Sequence, residues 1–155
     1  METKVIKEKR FCEFYWKMKE LYLLGKKYHF GRGISLSSPF TEKLCRFIYD
    51  LEKYGNKTFD ATNNKKQKIE IKATLSKSGT TTMSNAQFDL LYWMYFSLDE
   101  DKVYVYLITG AEFRDNQLYE QKFENKERAN ISIRKFVKSE HLVNTYSFEK
   151  LGKVI

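Results

Sequence analysis

The chain has 155 residues, about one domain by the usual size scaling and enough to bury a core without metal or disulfide staples. Its 42% hydrophobic content, with 12 Phe and 11 Tyr, excludes a disordered polypeptide, and no apolar run reaches the roughly 18 residues of a membrane span. A formal net charge of +8 favours polyanionic partners, and no polybasic amphipathic segment or lipidation signal turns that preference toward a membrane. The N-terminal Met-Glu-Thr-Lys is not followed by the apolar core of a secretion signal, so the expectation is a single cytoplasmic domain over residues 1–155.

The first predicted element is a helix over about residues 8–25. Phe11, Phe14, Tyr15, Met18, Leu21 and Tyr22 recur at the spacing of one buried stripe, and Gly25 suits its end. In the following segment, Lys26 to Gly33, cations alternate with aromatics between glycines. It can grip phosphate, with Arg32 as a candidate contact, or be merely a solvated basic loop. Ser38-Pro39 opens a second helix with a hydroxyl cap and a proline in the first turn. Leu44, Phe47, Ile48 and Leu51 form its stripe, and Gly55 is expected to end it.

Thr58–Thr62 and Ile69–Ala73 read as neighbouring strands joined through a turn at Asn63–Lys66. Strict alternation in Ile69-Glu70-Ile71-Lys72-Ala73 buries the isoleucines and puts Glu70 and Lys72 side by side on the opposite face. There they are close enough to share one water, one metal ion and one phosphate, and Asp60 offers a second carboxylate ten residues upstream. Glu-x-Lys also occurs at Glu2-Thr-Lys4 and Glu124-Asn-Lys126, and again at Glu100-Asp101-Lys102 and Glu120-Gln121-Lys122, but only the Glu70 copy has alternating apolar framing and a candidate partner strand. The competing reading is a half-exposed strand whose Glu70 and Lys72 are ordinary surface charges.

Ser76 to Asn85, rich in Ser and Thr, is expected to be a loose loop near a ligand. Leu90–Phe96 and Val103–Ile108 form a central hairpin buried by helices on both sides. Residues 111–130 have weak period, Ile131–Val137 reads as one more strand, and His141–Leu151 as a short terminal helix. This order fits an α/β fold with a mixed central β-sheet flanked by helices. Cys12 and Cys45 lack zinc spacing and are expected to be buried thiols; His29 and His141 read as surface or DNA-contact residues.

With these residues in place, residues 36–137 resemble the PD-(D/E)XK nuclease superfamily, and more closely its small type II restriction endonucleases. The likeness is carried in order by Phe40-Thr41-Glu42-Lys43-Leu44, Phe59-Asp60-Ala61, Ile69-Glu70-Ile71-Lys72-Ala73-Thr74 and Phe88-Asp89-Leu90-Leu91-Tyr92. The resemblance implies a restriction-endonuclease-like core. It also implies that Asp60 and Glu70 are metal ligands, that Lys72 orients or activates the attacking water, and that Glu42 is an auxiliary carboxylate. Phe59 stands where the family has its eponymous proline, and helical spacing puts Glu42 almost opposite the Leu44-Phe47-Ile48-Leu51 stripe.

Phosphodiester hydrolysis needs a nucleophile at neutral pH and stabilised phosphorus oxygens, and a hard cation helps with both. Two carboxylates, the main-chain carbonyl of Ile71 and the scissile phosphate make an adequate Mg²⁺ site without histidine or cysteine. The expected activity is Mg²⁺-dependent cleavage of double-stranded DNA at a short sequence, as one half of a restriction-modification system. A homodimer suits a palindromic site, and the resemblance implies a cognate DNA methyltransferase. Lys77, Arg114, Arg128, Arg134 and Lys135 are candidate DNA contacts, each of which can instead face water. The alternatives are a junction-resolving or repair nuclease of the same superfamily, and a non-catalytic basic nucleic-acid-binding module.

Overall fold

The computed structural model describes residues 1–31, 34–56, 58–85 and 87–152. In chain order its elements begin with β1 (Thr3–Ile6), α1 (Lys9–Tyr28), α2 (Ser38–Tyr49), β2 (Glu52–Lys53) and β3 (Ala61–Thr62). The sequence continues through β4 (Lys68–Thr74), β5 (Thr80–Ser84), β6 (Leu90–Ser97) and β7 (Lys102–Thr109). Two short helices follow, α3 (Gly110–Asp115) and α4 (Gln117–Phe123), then β8 (Arg128–Ser132), two 3₁₀ turns and β9 (Leu142–Phe148).

Among the described residues, seven strands form one mixed sheet in the order β1-β9-β7-β6-β4-β3-β2, so the fold is α/β with a restriction-endonuclease-like core. The expected hairpin is its centre: β6 and β7 pair antiparallel along eight positions, with Asp101 supplying a left-handed residue in the turn. Beside β6, β4 lies parallel, Ile69 opposite Leu90 and Lys72 opposite Trp93. The outer partner of β4 is short, because β3 pairs only Ala61 with Ile69 and Thr62 with Lys68. Beyond Ile69 that edge of β4 is left to side chains.

Both faces of the sheet are covered, by different material. Ile69, Ile71, Tyr92, Met94, Val103 and Val105 pack against α1 and α2. On the opposite face Leu91, Trp93, Tyr106 and Ile108 pack against α3, α4 and a two-stranded antiparallel ribbon of β5 and β8. Thr74 belongs to this second face, since its Oγ1 accepts the Trp93 indole N–H at 3.0 Å. By alternation, Glu70 and Lys72 are on it too.

Several elements differ from the sequence reading, each for a local reason. The 80–84 part of the expected loop is a strand whose one large apolar residue, Met83, is buried; its partner contributes Ala129 opposite. Residues 142–148 form a strand, not a helix, because Thr145, Tyr146 and Phe148 fill a slot between β7 and β1, and such pairing overrides weak local preference. The strand expected at 131–137 lies at 128–132 and gives way to a 3₁₀ turn at Ile133–Lys135. Helix α1 runs through Gly25 and stops where His29 turns left-handed (φ 55°), while α2 is capped by Ser37 and stops at Asp50 (φ 53°). The stripe of α1 is Phe11, Cys12, Tyr15 and Met18, and Phe14 and Leu21 stand exposed.

The start of the central pair is fixed by main-chain contacts. Asp89 accepts the Lys68 N–H on its Oδ2 at 2.7 Å, donates its own N–H to Lys68 O at 2.8 Å, and accepts the Gly110 N–H at 2.7 Å. Gly110 approaches so closely that a Cβ there would meet the Phe88 carbonyl oxygen at 2.0 Å. A methyl group forces the backbone of β6 or β7 to move, at a cost of about 1–3 kcal/mol. Gly110→Ala is therefore expected to lower the melting temperature by several degrees. Calorimetry showing an unchanged transition would contradict this account of the close approach.

Candidate active site

Just before the first residue of β3, the side chain of Asp60 stands in for a longer strand. Its Oδ2 accepts the Ile71 N–H at 2.8 Å, while its own N–H donates to Ile69 O at 3.0 Å. One step beyond the Ala61–Ile69 pair, the same antiparallel register puts Asp60 opposite Glu70. The N–H and C=O of a strand residue point to the same side, so the Ile71 carbonyl is aimed at this open edge as well.

Around these groups is a cavity of about 170 Å³ whose walls include Glu42, Asp60, Glu70, Ile71, Lys72 and Thr81. Ser38 and Thr41 from the first turn of α2 close one side. Glu42 lines the cavity from the N-terminal part of α2, whose buried stripe is Phe40, Thr41, Leu44 and Cys45, shifted from the expected one, with Phe47 exposed. A larger groove of about 470 Å³ lies between α1 and α2, but Phe14, Phe40, Phe47, Arg10 and Lys43 line it, with no carboxylate.

The acids are crowded. Burial is the first cause that raises the Glu70 carboxyl well above its ordinary value, followed by its hydrogen bond with Asp60 and the Asp60 charge; Lys72 opposes both. Glu42 is raised in the same direction, again by burial first and then by the charge of Asp60, with Arg46 and Lys72 opposing. Arg46 also donates from Nη1 to the main-chain oxygen of Asp60 at 3.4 Å, which ties α2 to the strand that carries the aspartate. Like charges this close resist simultaneous ionisation, and a cation between them removes the penalty.

Among the described residues no group of three or more His, Cys, Asp or Glu side chains is arranged to hold a metal ion. The groups at the cavity that could hold one are the carboxylates of Asp60 and Glu70 and the Ile71 carbonyl, all oxygen, beside Lys72. Such a set fits a hard divalent cation that keeps part of its water shell.

The other residues singled out from the sequence are dispersed. Lys77 is exposed in the turn before β5, and Arg128 is exposed on β8. Arg114 is half-buried and donates to Phe88 O at 3.0 Å. Arg134 lies just after β8 with its Nη1 buried and unpartnered, and Lys135 is exposed beside it. Arg32 lies outside the described residues. His29 is exposed, but His141 is not free: its Nδ1 accepts the Lys138 N–H at 2.9 Å, which leaves Nε2 to donate to Glu112 at 2.9 Å. Cys12 and Cys45 are buried free thiols. Thr81, Ser38 and Thr41 were not anticipated at the cavity. Only the polar residue in the inward register of β5 could have signalled Thr81.

A buried carboxyl that holds its proton in the fold and loses it on unfolding favours the folded state at low pH. That contribution is fully present below about pH 4.5, the ordinary value, and declines as pH rises through neutrality. Glu70→Gln, which cannot ionise, is accordingly expected to melt higher than the wild type at pH 8 in chelator, and by less at pH 5. Equal melting temperatures at pH 8 would refute the penalty.

Among the described residues, no helix is long and apolar enough to cross a membrane. No curated protein matches the chain. Residues 3–138 match the model of the Bsp6I restriction endonuclease family. With most of its length matched and an open acidic cavity at the edge of a mixed sheet, the chain belongs to the Bsp6I restriction endonuclease family, and it is a type II site-specific DNA endonuclease.

Proposed function

We propose that the cavity at the open edge of β4 is the catalytic centre, and that Asp60, Glu70 and the Ile71 carbonyl hold a Mg²⁺ ion there. The observation that carries this reading is the direct approach of Asp60 to Glu70, secured by the Asp60 Oδ2 bond to the Ile71 N–H at 2.8 Å. Oxygen-only donors on a partly solvated edge favour Mg²⁺ over softer ions. When bound, the cation supplies positive charge against the phosphate oxygens and makes a nucleophile available at neutral pH.

The protein groups then divide the work. Lys72, two residues along the same ridge from Glu70, orients the attacking water and adds a compact positive charge toward the developing oxyanion. Water adds to phosphorus as the bond to the leaving sugar oxygen breaks, and one proton leaves the water while another reaches the departing oxygen. Glu42 serves as an auxiliary carboxylate at the rim, held near Asp60 by the first turn of α2. A palindromic site fits a symmetric homodimer that presents one such centre to each strand, paired in the host with a methyltransferase that protects the same sequence.

Purified protein with Mg²⁺ is expected to cut a methylation-free plasmid at defined positions, read by sequencing the fragment ends. Lys72→Ala and Glu70→Ala should each lose at least roughly 100-fold in rate, the scale of one electrostatic stabiliser. Full activity in either would remove the assignment. In Ca²⁺, whose coordination is longer and looser, DNA should bind without being cut, and rapid cleavage in Ca²⁺ alone would sink the proposed role of Mg²⁺. Sedimentation on and off DNA tests the dimer, and monomers under both conditions would oppose it.

A further inference from the structure

The β5–β8 ribbon has one face to spare. Its inner side chains are committed: Met83 and Ile131 are buried in the second core, Ala129 packs against it, and Thr81 lines the catalytic cavity. The outer face is built from the alternate positions, and the register pairs Thr80 with Ser132, Thr82 with Asn130 and Ser84 with Arg128. These six side chains include hydroxyls, an amide and a guanidinium, and no carboxylate. Thr80, Thr82, Arg128 and Asn130 are exposed.

The Thr82 hydroxyl donates to the Asn130 side-chain oxygen at 2.6 Å, so the amide is held in one orientation. That oxygen has a second lone pair, and among the described residues no hydrogen bond takes up the two N–H donors of the amide. Next to β8, a cavity of about 570 Å³ is lined by Lys122, Lys126, Arg128 and Asn130. A two-stranded ribbon fits the major groove of B-form DNA, where Asn pairs bidentately with adenine and Arg with guanine. Flanking lysines supply the phosphate contacts that fix such an element in register.

We propose that the outer face of this ribbon is the sequence-reading element of the enzyme, with Asn130, Thr82 and Arg128 reaching base edges and Lys122 and Lys126 holding the adjoining phosphates. The inference rests on the DNA-cleaving reading and adds the specificity determinant to it. Thr81 lines the cavity and, by alternation, Thr80 and Thr82 lie on the ribbon's other face, so the same short strand joins the proposed reading face to the cutting site and a duplex that meets both must pass around the ribbon's edge. A helix presenting one or two side chains would be replaced by a ladder of short, pre-ordered ones, whose ordering on DNA costs little side-chain entropy.

The test begins with the sites that the wild-type protein cuts in methylation-free plasmid. Duplexes carrying that site, and duplexes changed at one base pair, are then bound by full-length protein in Ca²⁺ and followed by fluorescence anisotropy. Asn130→Ala and Arg128→Ala are each expected to shrink the preference for the true site roughly 10- to 100-fold at one base-pair position, with new cut sites differing there. Thr82→Val, which keeps the strand preference, should reduce the preference at the position lost in Asn130→Ala. Lys122→Ala should instead weaken both duplexes alike and reduce the salt dependence by about one contact.

Unchanged selectivity and an unchanged set of cut sites in folded Asn130→Ala and Arg128→Ala would overturn the inference, as would equal loss on both duplexes. Should an alanine variant melt early, Asn130→Gln and Arg128→Lys put the same question with the side-chain volume retained. Wild-type protein that cuts at no defined site would fail the parent reading first, and so is distinguishable from failure of the ribbon alone.

Discussion

The structure depends on one substitution of a side chain for a main chain: immediately before β3 begins, the Asp60 carboxylate takes the Ile71 N–H that a longer strand would have taken. This single contact does three things. It satisfies a donor at an otherwise open sheet edge, which would be costly to leave unpaired if buried. It fixes the aspartate beside Glu70. It also leaves the neighbouring carbonyl at a cavity with no strand across from it among the described residues.

The cost of the arrangement is electrostatic. Glu42, Asp60 and Glu70 converge in a partly desolvated space, and both glutamates hold their protons more tightly than free carboxyls do. A protein selected for stability alone would replace Glu70 with a neutral residue. Strain of this kind is expected where a charged ligand is to be bound, because the same repulsion that opposes folding favours the cation. The surrounding structure is correspondingly firm: β4 is locked to β6 over six paired positions, and Asp89 pins its first residue through main-chain and side-chain bonds.

The two cores divide the labour around that edge. Helix α2, packed on the first, delivers Glu42, Thr41 and Ser38 to one wall of the cavity. The ribbon, packed on the second through Met83 and Ile131, delivers Thr81 to another. On the proposed roles, chemistry and recognition draw on different layers of one small fold, joined by the sheet that carries Glu70 and Lys72.

By itself the sequence determined the local rules. The alternation Ile69-Glu70-Ile71-Lys72 placed acid and lysine on one face; the aromatic runs at 90–96 and 103–108 made a doubly buried hairpin; Phe11, Tyr15 and Met18 marked a helix stripe. Only tertiary structure decided which faces were buried and what lay opposite them. The burial of Phe40, Thr41 and Cys45 on α2, with Phe47 left exposed and Glu42 at the cavity, is set by packing against the sheet and is not legible from helical period. The polar strand β5 is defined by its pairing with β8, and β9 by the slot between β1 and β7, because hydrogen bonds to distant partners outweigh weak local preferences. For the same reason the meeting of Asp60 with Glu70 depended on how far β3 runs, a matter of where a strand pair ends and therefore invisible in spacing alone.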